Sequence, residues 1–96
     1  MTDQKYKSEL ENSEGKKISV RDEEGRQWNG VVQSVEGSSE RTLARVRVSE
    51  GSEEDVPHDT YNPVPVYAIE DGRVYASYIG GGELENSDIE ELEVME

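Results

Sequence analysis

The residues best suited to chemistry lie in one acidic stretch, residues 50–63. It contains the only histidine of the chain, His58, and four nearby acids: Glu53, Glu54, Asp55 and Asp59. Hard cations such as Ca²⁺ and Mg²⁺ bind several carboxylate oxygens, but this spacing matches no calcium-binding loop. A single imidazole without a cysteine or a serine motif nearby is more typical of a loop than of a catalytic base. We therefore expect no catalytic residue and no metal site.

Other reactive groups are equally scarce. The chain has no cysteine, which excludes a disulfide, a thiolate nucleophile and a cysteine-based zinc site. A phosphate cradle needs glycines that lead into a helix with a lysine or serine placed for the phosphates. No helix with a suitably placed lysine or serine is predicted after Gly80–Gly82, so these glycines are predicted to form a flexible turn. We expect no cofactor, and we expect a protein that is not an enzyme.

The charge of the chain is large and uneven. Its 96 residues include 23 acids and 10 bases, for a net charge of −13. Residues 50–96 contain Arg73 alone against fourteen acids, whereas residues 16–49 carry a small positive excess. Such acidity normally repels nucleic acid. It favours a protein adapted to high salt, where counter-ions screen the repulsion; mimicry of DNA phosphates is the alternative.

Hydrophobic residues recur at every second position between residues 16 and 49, which predicts a three-stranded meander. Ile18 and Val20 mark the first strand, and the turn Asp22–Gly25 follows it. The second strand spans residues 28–35, and alternation at residues 42–48 marks the third. Both faces of the second strand keep apolar residues, so it is either buried on both sides or changes face at a bulge. Asn29-Gly30 favours the bulge.

Residues 64–79 read as a hairpin, because Asp71-Gly72 lies between two β-rich runs and suits a type I′ turn. Tyr67 and Ile69 share one face of its first strand. The second strand has one face with Tyr75, Ser77 and Ile79, and an opposite face with Val74, Ala76 and Tyr78. Pro63 and Pro65 lack a donor N–H, so the first strand should begin at an edge.

The two ends of the chain are less regular. Residues 1–15 are polar and are predicted to be a flexible tail, although Tyr6 and Leu10 are spaced for a single helical turn. Ser87 and Glu90 have the spacing of a capping box. Residues 88–94 therefore form either a short helical turn or a last strand. The folded domain is expected to span residues 16–96.

The order of these features resembles the PRC-barrel family. The resemblance rests on Asp22-x-x-Gly25, Gly30-x-Val32-x-x-Val35-Glu36, Val56-Pro57 and Asp71-Gly72-Arg73-Val74, over roughly residues 16–85. The run Trp28-Asn29-Gly30 is one residue longer than the family pattern. The resemblance implies a compact β-barrel without catalytic residues that docks to a larger assembly.

A second resemblance is to Tudor-like and other SH3-like barrels, through Trp28-Asn-Gly30-Val31-Val32 and the closing segment Ser87–Leu92. Tudor domains use aromatic side chains to cage a methylated cation. Trp28, Tyr61, Tyr67 and Tyr75 are the residues that could form such a cage. Packing in the core and across the hairpin is the interpretation that we favour for them.

Together these patterns predict a mainly β protein: a single small antiparallel β-barrel of five to six strands. We expect a soluble, cytoplasmic binding or assembly module without a membrane span, whose partner is another protein. The candidate binding residues are Lys17, Arg21, Trp28, Arg45, Arg47, Tyr67 and Tyr75. The alternative is a ribosome- or nucleic-acid-associated factor that uses the four basic residues of that set. A monomer or weak homodimer is expected, the dimer if Val46 or Val66 lies on an uncovered edge.

If the acidity is an adaptation to salt, the fold should need molar salt. We expect the melting temperature to rise between 0.1 M and about 2 M potassium chloride, because screening relieves the self-repulsion of thirteen net negative charges. Circular dichroism melts at the two salt concentrations test this. Superimposable melts would contradict it.

Overall fold

The computed structural model describes residues 5–38, 40–57, 60–69 and 72–95. One short helix precedes six strands in the chain. The helix is α1 (Lys5–Glu11), and the strands are β1 (Lys17–Asp22), β2 (Gln27–Gly37), β3 (Arg41–Val48), β4 (Val64–Ile69), β5 (Val74–Gly80) and β6 (Glu83–Met95). A 3-10 turn at Glu53–Asp55 lies in the long connection between β3 and β4.

The six strands form a closed antiparallel barrel in which each strand pairs with the next and β6 pairs with β1. The predicted barrel is therefore confirmed, with six strands. Tight turns join β1 to β2 and β5 to β6. Gly25, in the first of these turns, has a φ of +86°, a conformation that glycine adopts without steric cost.

The core follows directly from the alternation in the sequence, because successive side chains of a strand point to opposite faces. The inward positions of β1, β3 and β4 are buried, and their outward positions are half-buried or exposed. β5 follows the same pattern except that Ser77 is buried on the outward face, and the first four residues of β6 are all exposed. The fully enclosed apolar residues include Ile18, Val20, Val32, Val46, Val64 and Val66. Tyr78 lies inside together with Val74 and Ala76; the sequence predicted that these three residues share a face. Val46 and Val66 are buried within paired strands, so the expected uncovered edge does not lie there.

The bulge predicted in β2 exists, at a different place. The register of β2 against β3 shifts between Val32 and Ser34, not at Asn29-Gly30. Gly30 instead permits a close approach of β3: a Cβ placed on it would lie 2.5 Å from Cγ1 of Val46 and 2.7 Å from the carbonyl oxygen of Arg47. The glycine is needed for packing, and the chain bends three residues later.

Pro65 occupies the position in β4 that its missing N–H allows. It pairs with Arg45 of β3, while the pairing of β4 with β5 begins only at Val66. The start of β4 therefore has a neighbouring strand on one side only. The start of β4 is therefore the strand edge that the two prolines predicted, although the barrel as a whole is closed.

Residues 5–11 form the helix α1, where we expected a flexible tail over residues 1–15; residues 1–4 lie outside the described residues. Leu10 of α1 has no exposed surface and belongs to the core, and α1 packs against β2, β3, β4 and β6. The hydroxyl of Ser13 donates to the carbonyl of Leu10 and ends the helix. Burial of one leucine side chain, worth about 1.5–3 kcal/mol, attaches this segment to the barrel. No helix in the described ranges is long and apolar enough to cross a membrane.

The C-terminal segment is a strand, which settles the alternative left open for residues 88–94. Ser87 lies within β6 with its hydroxyl buried, and Ile89 and Leu92 point into the core. The capping-box spacing is therefore not used. The strand prevails because β1 needs a second partner, and residues 89–95 supply it.

Replacing Gly30 with alanine should destabilise the barrel by about 1–3 kcal/mol, because the new methyl group would overlap the backbone of β3. Urea denaturation measures the change. Gly37→Ala is the matched control: its Cβ would lie 3.8 Å from Oγ1 of Thr42, an ordinary contact. Equal stability of the two variants would show that the close approach at Gly30 does not matter.

Candidate functional site

Three exposed hydrophobic side chains lie together where β5 turns into β6. Ile79 and Leu84 are direct cross-strand partners, and the N–H of Tyr61 donates to the carbonyl of Ile79 at 2.6 Å. Their exposed fractions are 41% for Ile79, 62% for Leu84 and 65% for Tyr61. We call these three residues the apolar hairpin patch.

The alternation of β5 creates this patch. Tyr78 points into the barrel, so Ile79 must point outward. The turn at Gly81 and Gly82 then returns the chain so that Leu84 lies beside Ile79. The isolated bridge between Thr60 and Gly80 brings the long connection, and Tyr61 with it, to the same place.

A buried polar network holds β5 in this position. The hydroxyl of Tyr78 donates to Oδ2 of Asp22 at 2.8 Å and accepts from Nε1 of Trp28 at 3.0 Å. Asp22 has no exposed side-chain surface, and its other oxygen accepts from the backbone N–H groups of Glu24 and Arg26. The guanidinium of Arg26 completes the set at 3.1 Å. This network ties β5 to the turn between β1 and β2.

The network also shifts two pKa values. Burial raises the pKa of Tyr78 well above 10, and the hydrogen bond to Asp22 and its negative charge add to this; the donated Trp28 N–H and the charge of Arg26 act in the opposite direction. Burial disfavours the charge of Arg26, but hydrogen bonds and attraction to Glu85 and Asp22 outweigh it and raise the pKa of Arg26. Both groups keep their protons over the ordinary pH range.

The two tyrosines proposed for binding form a stacked cross-strand pair on the outer face of β4 and β5. The ring centres of Tyr67 and Tyr75 are 5.1 Å apart. Arg41 lies over the ring of Tyr67 at 5.2 Å, and Arg73 lies over Tyr75 at 4.7 Å. Arg73 also contacts Asp88. The chain's own cations therefore already contact the rings that a bound cation would use.

Trp28 is not at a surface. Its side chain is 1% exposed and packs edge to face against Tyr78 inside the barrel. Tyr61 lies in the apolar hairpin patch, apart from the core position of Trp28. The structure thus does not bring the four aromatic residues of the Tudor-like cage together.

The four predicted basic residues point outward from β1 and β3, and two of them are ion-paired. Arg21 contacts Glu91 at 2.9 Å, and Arg45 contacts Glu36 at 2.6 Å. Lys17 and Arg47 lie opposite Val31, one on each side of it. Half of this basic set is thus already neutralised by the chain's own carboxylates.

The acidic loop offers no completed metal site within the described part of the chain, where no three histidine or acidic side chains are placed to hold a cation. His58 and Asp59 lie outside the described residues. No family model, no curated protein and no solved structure matches the chain. The fold and the site thus define a class, a small closed antiparallel β-barrel with an exposed apolar patch.

The sequence analysis missed the apolar hairpin patch. The sequence pattern correctly placed Ile79 on the face of Tyr75, but it did not predict a strand that contains Leu84. A signal was present: a glycine turn at residues 80–82 places residues 79 and 84 opposite each other. Tyr61 had no such signal, because only the folded chain brings the long connection to β5.

Tyr78→Phe should destabilise the protein by about 1–3 kcal/mol, since it leaves the buried N–H of Trp28 without an acceptor. The effect should also depend on pH. The folded state raises the pKa of Tyr78, so the phenol's contribution is fully present below pH 10 and is lost as the pH rises above it. The difference in the free energy of unfolding between wild type and variant, measured by urea denaturation, should be smaller above pH 10 than at pH 7. Tyr61→Phe, at an exposed ring, is the control and should change stability by less than about 0.5 kcal/mol; equal losses in both variants would contradict the role of the network.

Proposed function

We propose that the protein is a non-enzymatic binding module that docks to another protein through the apolar hairpin patch. The observation that carries this is the clustering of exposed hydrophobic side chains. Of the four large hydrophobic residues exposed in the described part of the chain, three form the patch, and Val31 alone lies elsewhere. Scattered hydrophobic residues are normal on a surface, whereas contiguous ones mark sites of interaction.

The charge around the patch indicates the chemistry of the partner. Residues 50–96 carry fourteen acids against Arg73, and Arg73 is bound to Asp88. Glu83, next to Leu84 in β6, is exposed. A complementary surface has an apolar centre flanked by lysine or arginine, so the partner is a protein segment of that composition.

A high salt concentration would favour binding through the same apolar patch. In a salt-adapted cytoplasm, which we propose as the setting of this acidic chain, charges on the surface are screened within a few ångströms. Apolar contacts keep their strength there, and some salts increase it. A module that binds through a small apolar centre, with charge at the rim for selectivity, suits such a medium.

The closed six-stranded barrel is compatible with the PRC-barrel resemblance, and we propose that the chain is PRC-barrel-like in fold. Docking to a larger assembly is what that resemblance implies. The apolar hairpin patch is a surface through which such docking can occur.

The double variant Ile79→Ser, Leu84→Ser should lose its partner and keep its fold, because both side chains are exposed on the outer face and neither belongs to the core. Val31→Ser is the matched control, since Val31 is 40% exposed on an outward strand position and Ile79 is 41% exposed. Immobilised wild type and variants are compared for proteins captured from the source cells at 0.15 M and about 2 M potassium chloride.

Support requires a protein that wild type and Val31→Ser both retain and that the double variant loses at both salt concentrations. Circular dichroism confirms that each variant is folded. If all three proteins retain the same partners, binding does not use the apolar hairpin patch and the proposal fails.

A further inference from the structure

The C-terminal half of β6 has an open edge. β6 has 13 residues, whereas β5 has 7 and β1 has 6. Its first half, up to Asp88, pairs with β5, and residues 89–95 pair with β1. Among the described residues, no strand pairs with the other side of residues 89–95. The barrel is closed in its strand order, but within the described ranges this backbone edge of residues 89–95 has no neighbouring strand.

The peptide groups at this edge can be assigned from the alternation of an antiparallel ladder. The N–H of Asp22 donates to the carbonyl of Arg26 just before β2, and the N–H of Val32 in β2 donates to the carbonyl of Lys16 just before β1. Even-numbered residues of β1 therefore bond to β2 and odd-numbered ones to β6. The odd-numbered residues lie opposite Glu91, Glu93 and Met95. The N–H and C=O groups of the intervening residues 92 and 94 therefore point away from β1.

Leu92 and Val94 also line a groove. A groove of about 730 Å³ lies between α1 and the end of β6, and its walls include Ser8 and Asn12 of the helix and Leu92 and Val94 of the strand. An extended segment can enter such a space and add its backbone to the sheet. Edge strands that are neither covered nor twisted away are templates for this kind of pairing.

The side chains along the edge define what an added strand should carry. Leu92 is buried and Val94 packs against the core, so positions opposite them would face the groove and favour small apolar residues. Glu91 and Glu93 are exposed on the outer face, and Glu9 of α1 adds a further acid to the wall. Glu91 is already paired with Arg21, and Lys16 also lines the groove. The position opposite Glu93 would therefore favour lysine or arginine most, because opposite charges stabilise cross-strand pairs.

We propose that the open edge of β6, residues 89–95, binds an extended segment of a partner protein in which lysine or arginine alternates with small apolar residues. The segment extends the barrel by one strand and covers the groove beside α1. This site is separate from the apolar hairpin patch, which lies at the opposite end of β6. A second copy of this chain is a poor occupant, because its own β6 would place glutamates opposite glutamates.

The test uses two synthetic peptides, Lys-Val-Lys-Val-Lys and Glu-Val-Glu-Val-Glu, both capped at their ends. Hydrogen exchange of the full chain is followed by NMR at the lowest salt at which it stays folded. The basic peptide should slow exchange of the Leu92 and Val94 amides at least tenfold, and the acidic peptide should not change it. Unchanged exchange at both amides with the basic peptide would overturn the proposal.

Two variants separate strand addition from simple attraction between charges. Glu93→Lys should weaken binding of the basic peptide roughly threefold or more, whereas Glu83→Lys, the same charge change at the far end of β6, should have little effect. Val94→Pro removes one N–H from the open edge without removing a bond to β1, and it should also weaken binding. Equal weakening by Glu93→Lys and Glu83→Lys would show that the peptide responds only to net charge; if Val94→Pro does not fold, the two charge variants decide.

Discussion

Asp22 carries a carboxylate with no exposed surface, and the barrel depends on how that charge is neutralised. An unpaired buried carboxylate would cost several kcal/mol. Asp22 receives two backbone N–H groups and a guanidinium from its own turn, and a hydroxyl from Tyr78, which lies 56 residues away in the sequence. Only the last of these contacts is long-range. It joins the first turn of the barrel to its fifth strand, and Trp28 fixes the tyrosine from the other side.

The contact between Asp22 and Tyr78 determines which side chains β5 exposes on the outer surface. Because Tyr78 is held inward, its neighbour Ile79 is held outward, and the pairing of β5 with β6 places Leu84 beside it. The exposure of the apolar hairpin patch thus follows from a buried hydrogen-bond network. The same alternation stacks Tyr67 on Tyr75 outside β4 and β5, where Arg41 and Arg73 cover them. The aromatic pair contributes to the sheet, and the patch is the surface left for a partner.

Strand length accounts for the remaining irregular features. A strand as long as β6 serves two partners in succession, β5 and then β1, because neither is long enough to pair with all of it. Among the described residues, closure therefore leaves residues 89–95 with a neighbouring strand on one side only. α1 lies at this end and contributes Leu10 to the core, which explains why a polar segment with a single suitable leucine folds onto the barrel instead of remaining a tail.

The sequence by itself determined the β class, five of the six strands, the turn at Gly25 and which residues share a face in most of those five strands, because a period of two and the placement of glycine and proline are local properties. It also placed Tyr78 on the face of Val74 and Ala76, opposite Tyr75. Only the tertiary structure decided that residues 88–94 extend a strand and that Leu10 is buried. It alone brought Tyr61 to Ile79, and Asp22 to Tyr78. These outcomes depend on which segments meet when the barrel closes, and pairing between distant segments leaves no pattern within either of them.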